Sequence, residues 1–334
     1  MFQKLFLALA ILFGCSQSQA QTNLRFRNGQ FKIVQFTDLH YKLGTKASEQ
    51  ALECIREITN TEKPDLIVVT GDMIYSQPAD STLSIVLNTL SQLDIPFCTT
   101  FGNHDYDFKA PSQALYAQIQ KTPNCVMPVL QGKNTDYALP ILSSNGKKTA
   151  AVIYGIDTHN KSSVAGVDGY QWITHSQTTW YRQRSAMFRR QNGGKAVPSL
   201  AFMHIPLPEY NYAVDNTQCP LYGTRMERAY SPSINSGFFA SMKEMGDIMG
   251  VFCGHDHDND YSVIYYNILL AHGRFSGGNT EYNHLRRGAR VIVLKEGKRE
   301  FNTWIRETGG NILYNTTYPK SYVKDDWRKR TGKE

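Results

Sequence analysis

The sequence predicts an α/β protein, and three observations support this fold class. Continuous apolar runs such as Asp65 to Thr70 alternate with segments of helical period such as Ala47 to Thr61. An apolar run without polar alternation is typical of a strand that is buried on both faces of its sheet. Short polar blocks follow the apolar runs. Ligands of open α/β sheets bind at the carboxyl ends of the strands, so we expect the functional site at that edge.

The first part of the chain reads as strand, helix, strand, helix, strand. The first helix has apolar residues three and four apart, and Pro64 ends it. The predicted strands are Phe31 to Phe36, Asp65 to Thr70 and Ile95 to Phe101, and the predicted helices are Ala47 to Thr61 and Ser81 to Leu93.

The second part continues the pattern and then becomes antiparallel. Predicted strands are Thr149 to Ile156, Pro198 to Met203 and Met249 to Cys253, and predicted helices are Gly169 to Gln191 and Ser231 to about Met245. Tyr261 to Ala271 and Ala289 to Leu294 resemble antiparallel strands, and Pro206 to Tyr230 is expected to be a loop that shapes the pocket. One domain is expected over residues 25–305, followed by a basic tail over residues 306–334.

Composition limits the function classes. With 334 residues and 41% hydrophobic content, the chain can bury one substantial core. A net charge of +7 favours anionic ligands. No nucleic-acid-binding motif is present, so phosphorylated small molecules or phosphoproteins are the expected partners.

Residues 1–20 have the features of an export signal. Lys4 precedes the apolar run Leu5 to Gly14, which is too short to span a membrane. Ser18-Gln19-Ala20 resembles a cleavage site, whereas Leu12-Phe13-Gly14-Cys15 resembles a lipobox that would leave Cys15 lipidated. Both interpretations predict an exported protein, periplasmic or secreted. Membrane contact is expected only in the second, through a lipid anchor at Cys15.

The cysteines indicate neither a zinc ribbon nor a thioredoxin-like site, because no C-x-x-C pair occurs. Cys98 and Cys253 lie inside apolar runs and are expected in the core. The sequence leaves any disulfide pairing open.

Five polar blocks together supply one amide, five imidazoles and, besides Asp105 and Asp256, two carboxylates. They are Asp38-Leu39-His40, Gly71-Asp72, Gly102-Asn103-His104-Asp105, His204 and Gly254-His255-Asp256-His257. Metal ions lower the pKa of a bound water from about 16 to roughly 7, which corresponds to ~12 kcal/mol of differential interaction. No single general base approaches this effect, so the blocks predict a two-metal phosphoester hydrolase.

In this order the blocks resemble the motifs of the calcineurin-like metallophosphoesterase family, which includes the purple acid phosphatases. The resemblance extends from Phe31 to Val293. It implies a four-layer α/β/β/α sandwich of two mixed β-sheets, with the metal site at the carboxyl ends of the strands.

The resemblance also implies a role for each residue of the blocks. A hydroxide that bridges the metals would attack phosphorus, His104 would protonate the leaving oxygen, and Asp105 would orient the ring of His104. The implied ligands are Asp38, His40 and His257 for one metal, Asn103, His204 and His255 for the other, and Asp72 as the bridge.

Further segments resemble a purple-acid-phosphatase-related branch of the family. They are His204 to Glu209, Gly254 to Asp260 and Arg287 to Arg290. Purple acid phosphatases use a tyrosine ligand, which Tyr75 matches, but His40 occupies the position where they have glycine. We therefore expect His40 to be the ligand and Tyr75 to be a pocket residue. The two metals could be Fe, Mn or Zn, since imidazole and carboxylate suit all three.

Two residues after a late strand are further candidates for substrate binding. His272 and Arg274 could line the pocket, and Arg274 could either bind phosphate or pair with a carboxylate.

Three functions remain open from the sequence. The leading hypothesis is an exported phosphomonoesterase. A phosphodiesterase acting on nucleotides or phospholipid head groups would use the same metals. A catalytically inactive binding protein of the same fold is the alternative from a different class.

Overall fold

The computed structural model describes residues 24–130, 132–215, 220–280 and 282–323. In this part of the chain, twelve strands form two six-stranded sheets, each with parallel and antiparallel pairs. The prediction of two mixed sheets in an α/β sandwich is confirmed.

The first sheet holds the first three strands of the chain and the last three, in the order β12-β11-β10-β1-β2-β3. Its strands are β1 (Gln30–Phe36), β2 (Leu66–Thr70), β3 (Phe97–Thr100), β10 (Gly288–Lys295), β11 (Phe301–Glu307) and β12 (Ile312–Tyr318). β1, β2 and β3 are parallel, and β10 pairs antiparallel with β1, bringing Ile292 opposite Ile33.

The second sheet holds the middle of the chain, in the order β4-β5-β6-β7-β9-β8. Its strands are β4 (Tyr137–Leu142), β5 (Thr149–Gly155), β6 (Ser199–Phe202), β7 (Ile248–Cys253), β8 (Ser262–Tyr265) and β9 (Ile268–His272). β5, β6, β7 and β9 are parallel. The parallel strands of both sheets therefore deliver their following loops to one edge.

Helices flank the sheets as outer layers. They are α1 (Lys46–Glu62), α2 (Ala79–Ser91), α3 (Ser112–Gln120), α4 (His175–Gln191), α5 (Glu209–Asp215) and α6 (Phe238–Met245). α1 buries its apolar face, which includes Leu52, Ile55 and Ile58, and it ends at Lys63 in a left-handed conformation, one residue before Pro64.

The core between the two sheets joins them into one body. Phe252 of β7 and Phe301 of β11 are both fully buried, and their ring centroids lie 6.0 Å apart. Burying a side chain of this size contributes about 1.5–3 kcal/mol. Cys98 and Cys253 lie in the core as predicted, and both are free thiols.

Several predicted boundaries were wrong. α4 begins at His175 instead of Gly169, because Thr174 and Gln177 form a capping box there. α6 begins at Phe238 instead of Ser231, and the expected loop from Pro206 to Tyr230 contains α5. β12 lies inside the segment expected to be a tail, so the sheet continues beyond residue 306.

Some predictions fall outside the described residues. They concern the signal segment of residues 1–20 with Cys15, and the basic residues 324–334. Within the described residues, no helix is both long and apolar enough to cross a membrane.

Candidate metal centre

The predicted ligands meet where the carboxyl ends of the two sheets face each other. Loops after β1, β2 and β3 carry Asp38, His40, Asp72 and Asn103, and loops after β6 and β7 carry His204, His255 and His257. The first sheet therefore supplies both carboxylates and the second supplies three imidazoles. Six of the seven residues form two clusters whose ligand atoms lie within 4.8 Å of one another: Asp38, His40 and His257, and Asp72, His204 and His255.

Glycines in the motifs let these loops approach each other. A Cβ atom at Gly102 would overlap the carboxylate of Asp72, and one at Gly254 would overlap the hydroxyl of Thr37. The spacing of the motifs therefore reflects packing as well as chemistry.

Four of the predicted ligands have left-handed backbone conformations. The φ angles are 55° for Asp38, 45° for His40, 50° for Asp72 and 77° for His255. Such angles cost about 1–2 kcal/mol for residues other than glycine. Backbone hydrogen bonds hold the strained loops, for example from His40 N–H to the Asp72 carbonyl at 2.9 Å. Strain maintained at one place in this way is typical of functional sites.

The two carboxylates face several imidazole nitrogens. Asp72 Oδ2 lies 3.1 Å from His204 Nε2 and 3.4 Å from His40 Nε2. Asp38 Oδ1 lies 3.6 Å from His257 Nε2 and 3.9 Å from His40 Nε2. Asp72 thus lies between the two clusters, as expected of a bridging ligand.

The opposite ring nitrogens fix the tautomers of three histidines. Nδ1–H of His40 donates to the Asn279 carbonyl at 3.0 Å, and Nδ1–H of His204 donates to the Thr70 carbonyl at 2.8 Å. Nδ1 of His257 lies 2.7 Å from Thr280 Oγ1, whose own proton goes to the Tyr282 carbonyl. Each Nε2 therefore faces a carboxylate, an arrangement that needs either a proton or a metal ion between them.

The pKa values express the same requirement for positive charge. Burial lowers the pKa of His40, but its contacts with Asp38 and Asp72 outweigh this and raise it to about 9. Burial likewise lowers the pKa of His204, yet the charges of Asp72 and Asp38 raise it to about 10. For His255, in contrast, burial lowers the pKa to about 4. Without another cation, protons would occupy the first two imidazoles at neutral pH.

Asn103 completes the ligand set. Its Oδ1 is buried and has no hydrogen-bond partner among the described residues. An unpaired buried carbonyl oxygen is costly unless it binds something. Carboxylate, imidazole and amide donors together suit Zn, Fe or Mn, so the residues present fit a pair of such ions.

His104 lies at the mouth of this site. Its side chain is 31% exposed, and its Nδ1 lies 2.6 Å from Asp107 Oδ2. Asn160 Nδ2 donates to the other oxygen of Asp107 at 3.1 Å. Asp107 therefore orients the ring of His104, and the prediction that Asp105 does so was wrong.

Asp105 fixes the backbone of two loops instead. Its carboxylate accepts hydrogen bonds from the N–H groups of Met73 (2.9 Å), Ile74 (3.2 Å) and Gly102 (2.9 Å). It thereby holds the loops that carry Asp72 and Asn103 together. Burial and the nearby charge of Asp72 raise the pKa of Asp105 to about 7.

The three predicted substrate-binding residues occupy different surroundings. The Tyr75 ring lies beside His40 and His104, with centroids 4.9 and 5.0 Å away, in accordance with a pocket residue. His272 is fully buried and bonds Asp256 at 2.9 Å, and Arg274 is 98% buried and pairs with Glu307 at 2.8 Å. The suggestion that His272 and Arg274 line the pocket was therefore wrong.

A cleft of about 460 Å³ opens over the candidate ligands. Asp72, His104, His255 and His257 line its floor, and Tyr170, Glu227, Tyr230 and Tyr282 are among its other lining residues. The sequence predicted that the Pro206 to Tyr230 segment shapes the pocket, but it did not single out Glu227, Tyr170 or Tyr282. Nothing in their local sequence distinguishes these three from surface residues.

Comparison with known proteins finds a matching family and several similar relatives. A family model described as calcineurin-like phosphoesterase matches residues 31–259. The relative "Probable inactive purple acid phosphatase 29" of Arabidopsis thaliana is 30% identical over 320 residues, which cover 84% of this chain and 81% of the relative. "Phosphatase DCR2" of Saccharomyces cerevisiae is 28% identical, over 84% of this chain and 54% of the relative.

Two solved structures share the fold. A dimetal phosphatase from Danio rerio aligns with a TM-score of 0.61 at 11% identity, over 86% of this chain and 98% of that one. The purple acid phosphatase PPD1 of yellow lupin aligns with a TM-score of 0.54 at 13% identity, over 87% and 54%. At these identities the likeness concerns the fold alone.

Proposed function

The chain belongs to the calcineurin-like phosphoesterase family, in its purple-acid-phosphatase-related branch, and we propose that it is an active metal-dependent phosphomonoesterase. One observation carries the proposal. Buried imidazoles whose Nδ1 atoms are held by backbone carbonyls turn Nε2 toward the two carboxylates, beneath an open cleft that His104 also lines.

The residues divide into two sets of ligands. Asp38, His40 and His257 would hold one ion, Asn103, His204 and His255 the other, and both would share Asp72. Such ions supply a hydroxide nucleophile at neutral pH and neutralise phosphoryl charge.

The chain itself would supply the proton for the leaving group. His104 presents its remaining nitrogen, Nε2, at the cleft, while Asp107 holds Nδ1. A protonated His104 would give its Nε2 proton to the ester oxygen as the P–O bond breaks. The hydrogen bond from His104 N–H to Asp72 Oδ1, 2.8 Å long, ties the position of this acid to the shared ligand.

The second candidate is an inactive binding protein. Three similar Arabidopsis thaliana proteins have "probable inactive" in their names, and this observation favours it. Against it, this chain retains the seven candidate ligands and His104, and the strain at four ligands persists. A chain that only binds a partner has no need of that strained geometry.

Phosphatase assays on protein of known metal content distinguish the active phosphomonoesterase from the inactive binding protein. We expect phosphate release from p-nitrophenyl phosphate, loss of release on chelation, recovery with Zn, Mn or Fe, and slower turnover of bis(p-nitrophenyl) phosphate. Faster turnover of the diester would assign a phosphodiesterase. No release from any ester by protein that contains two ions would assign the inactive binding protein.

We also propose that the protein acts outside the cytoplasm. The export-like residues 1–20 and the lipobox at Cys15 support this placement. Fractionation of cells that express the full chain, compared with a Cys15→Ser variant, tests export and lipid anchoring.

A further inference from the structure

The cleft has a wall whose chemistry differs from that of its floor. Tyr170 packs edge-on against the ring of His255 at 4.7 Å, and Tyr282 stacks on the ring of His257 at 5.1 Å. Tyr230 lines the same cleft and is 60% exposed. Three aromatic side chains therefore line the cleft beside the candidate ligands.

Glu227 is a fixed carboxylate in this wall. Its Oε1 accepts the Asp258 N–H at 2.9 Å, and its Oε2 accepts the Tyr282 hydroxyl at 3.1 Å. Among the described residues, no Lys, Arg or His forms an ion pair with Glu227. Its carboxylate is thus held in position without a cationic partner.

The described residues that line the cleft include no Lys or Arg. They do include a second carboxylate, Asp256, whose oxygens bond His272 and the Tyr230 N–H. Arg225 and Arg228 are exposed on the same segment as Glu227 and do not line the cleft. A second anionic group on a substrate would meet repulsion at this wall, whereas a cation would be attracted.

We propose that the cleft selects phosphoesters whose alcohol carries an ammonium group, such as choline phosphate or ethanolamine phosphate. The inference rests on the proposed phosphatase function. Tyrosine rings attract alkylammonium groups, and a carboxylate adds direct charge pairing. A neutral sugar could stack on the same rings but would gain nothing from the charge of Glu227.

The reaction on choline phosphate is a hydrolysis. The bond between phosphorus and the choline oxygen breaks, a bond between phosphorus and a water oxygen forms, and the choline oxygen takes its proton from His104. The products are inorganic phosphate and choline, with no change of oxidation state.

The test compares choline phosphate with 3,3-dimethylbutyl phosphate, its uncharged carbon isostere. We expect kcat/KM to be about 10-fold or more higher for choline phosphate, as expected of a cation that a carboxylate and aromatic rings share. In Glu227→Gln this ratio should fall toward one, whatever the absolute rates. Glu53→Gln, the same change at an exposed position of α1, should keep the ratio of the native chain.

A second variant and a binding measurement separate folding from recognition. Tyr230→Leu removes an exposed ring and should also lower the ratio. Calorimetry with choline alone should show binding to the metal-loaded native protein and a binding constant at least 5-fold weaker for Glu227→Gln. Unchanged melting temperatures of the variants would show that folding is intact.

Two sources of the ammonium ester are distinguished by separate assays. Release of inorganic phosphate from choline phosphate, without release of choline from phosphatidylcholine vesicles, assigns a soluble monoester. Release of choline from phosphatidylcholine, which is a phosphodiester and would leave phosphatidic acid, assigns a lipid head group and overturns the monoester preference of the proposed function. A ratio near one in the native protein, or a preference for glucose 6-phosphate, overturns the inference while the phosphatase function stands. Absence of turnover with every ester, including p-nitrophenyl phosphate, overturns the phosphatase function, and the choline titration then tests the wall by itself.

Discussion

Replacing Asp107 by asparagine is expected to slow the hydrolysis of alkyl phosphates by about 5- to 30-fold. Asp107 Oδ2 accepts a hydrogen bond from His104 Nδ1–H at 2.6 Å, and this contact orients the ring. An amide oxygen could still accept this hydrogen bond, but it carries no charge and would hold the ring less firmly. His104 would then be a less well-placed acid.

The magnitude follows from the contact and its exposure. A hydrogen bond to a charged group contributes about 1.5–3 kcal/mol. The side chains of His104 and Asp107 are 31% and 43% exposed, so solvent screening reduces the effect to about 1–2 kcal/mol. Since 1.36 kcal/mol is a factor of ten in rate, the loss corresponds to about 5- to 30-fold.

The assay uses the leaving group to isolate the role of the acid. An alkoxide must be protonated as it leaves, whereas nitrophenolate is a stable anion and needs little help. The variant should therefore lose activity toward ethyl or choline phosphate and retain most of it toward p-nitrophenyl phosphate. Metal content, measured on the same samples, should stay at the native level.

Asp94→Asn provides the matched control, because Asp94 is exposed and has a left-handed backbone that asparagine adopts readily. Asp94→Asn should leave the turnover of both the alkyl and the nitrophenyl phosphate unchanged. Equal losses toward alkyl and nitrophenyl esters in Asp107→Asn, or a loss of metal, would refute the orienting role.

Three further predictions concern neighbouring groups. His104→Ala should keep native metal content by elemental analysis and lower alkyl phosphate turnover by about 10²–10⁴-fold, and loss of metal would identify His104 as a ligand. Asp105→Asn should destabilise the fold by about 1–3 kcal/mol in urea titrations, because the amide NH₂ would face backbone N–H groups that now have an acceptor, and native stability would contradict its role. Because contacts with carboxylates raise the pKa values of His40 and His204 to about 9 and about 10, metal binding near pH 7 should release up to two protons, and apparent affinity should rise with pH until these groups lose their protons. Calorimetry in buffers of different ionisation enthalpy measures that release. A count of zero protons released would contradict the protonation of His40 and His204 in the metal-free protein.

The sequence was most informative where function depends on local order. Each ligand-bearing block follows a short apolar strand, and such a strand can be recognised from its own residues. The capping pair Thr174 and Gln177 was equally readable, but the apolar residues Trp172 and Ile173 extended the apparent helix upstream. β11 alternates as a half-buried strand does and could have been predicted, but residues from 306 onward were assigned to a basic tail. β12 was missed for the same reason, and its own pattern is irregular.

Contacts distant along the chain could not be predicted. His40 donates to a carbonyl 239 residues away, at Asn279, and backbone carbonyls have no sequence signature. Arg274 appeared free to bind phosphate because its partner Glu307 lies 33 positions later. The error over Asp105 arose from adjacency, since the residue next to His104 points to the backbone and the one three positions on meets the ring.

The division of the ligands between the two sheets has a mechanical consequence. The first sheet, built from both ends of the chain, supplies the carboxylates, and the second, built from its middle, supplies three of the imidazoles. Ions bound there would link the two sheets. A ligand that binds only the folded state, at a concentration 100 times its Kd, adds about 2.7 kcal/mol to the free energy of unfolding. Separation of the sheets would release both ions at once, so resistance to unfolding and metal occupancy should rise and fall together.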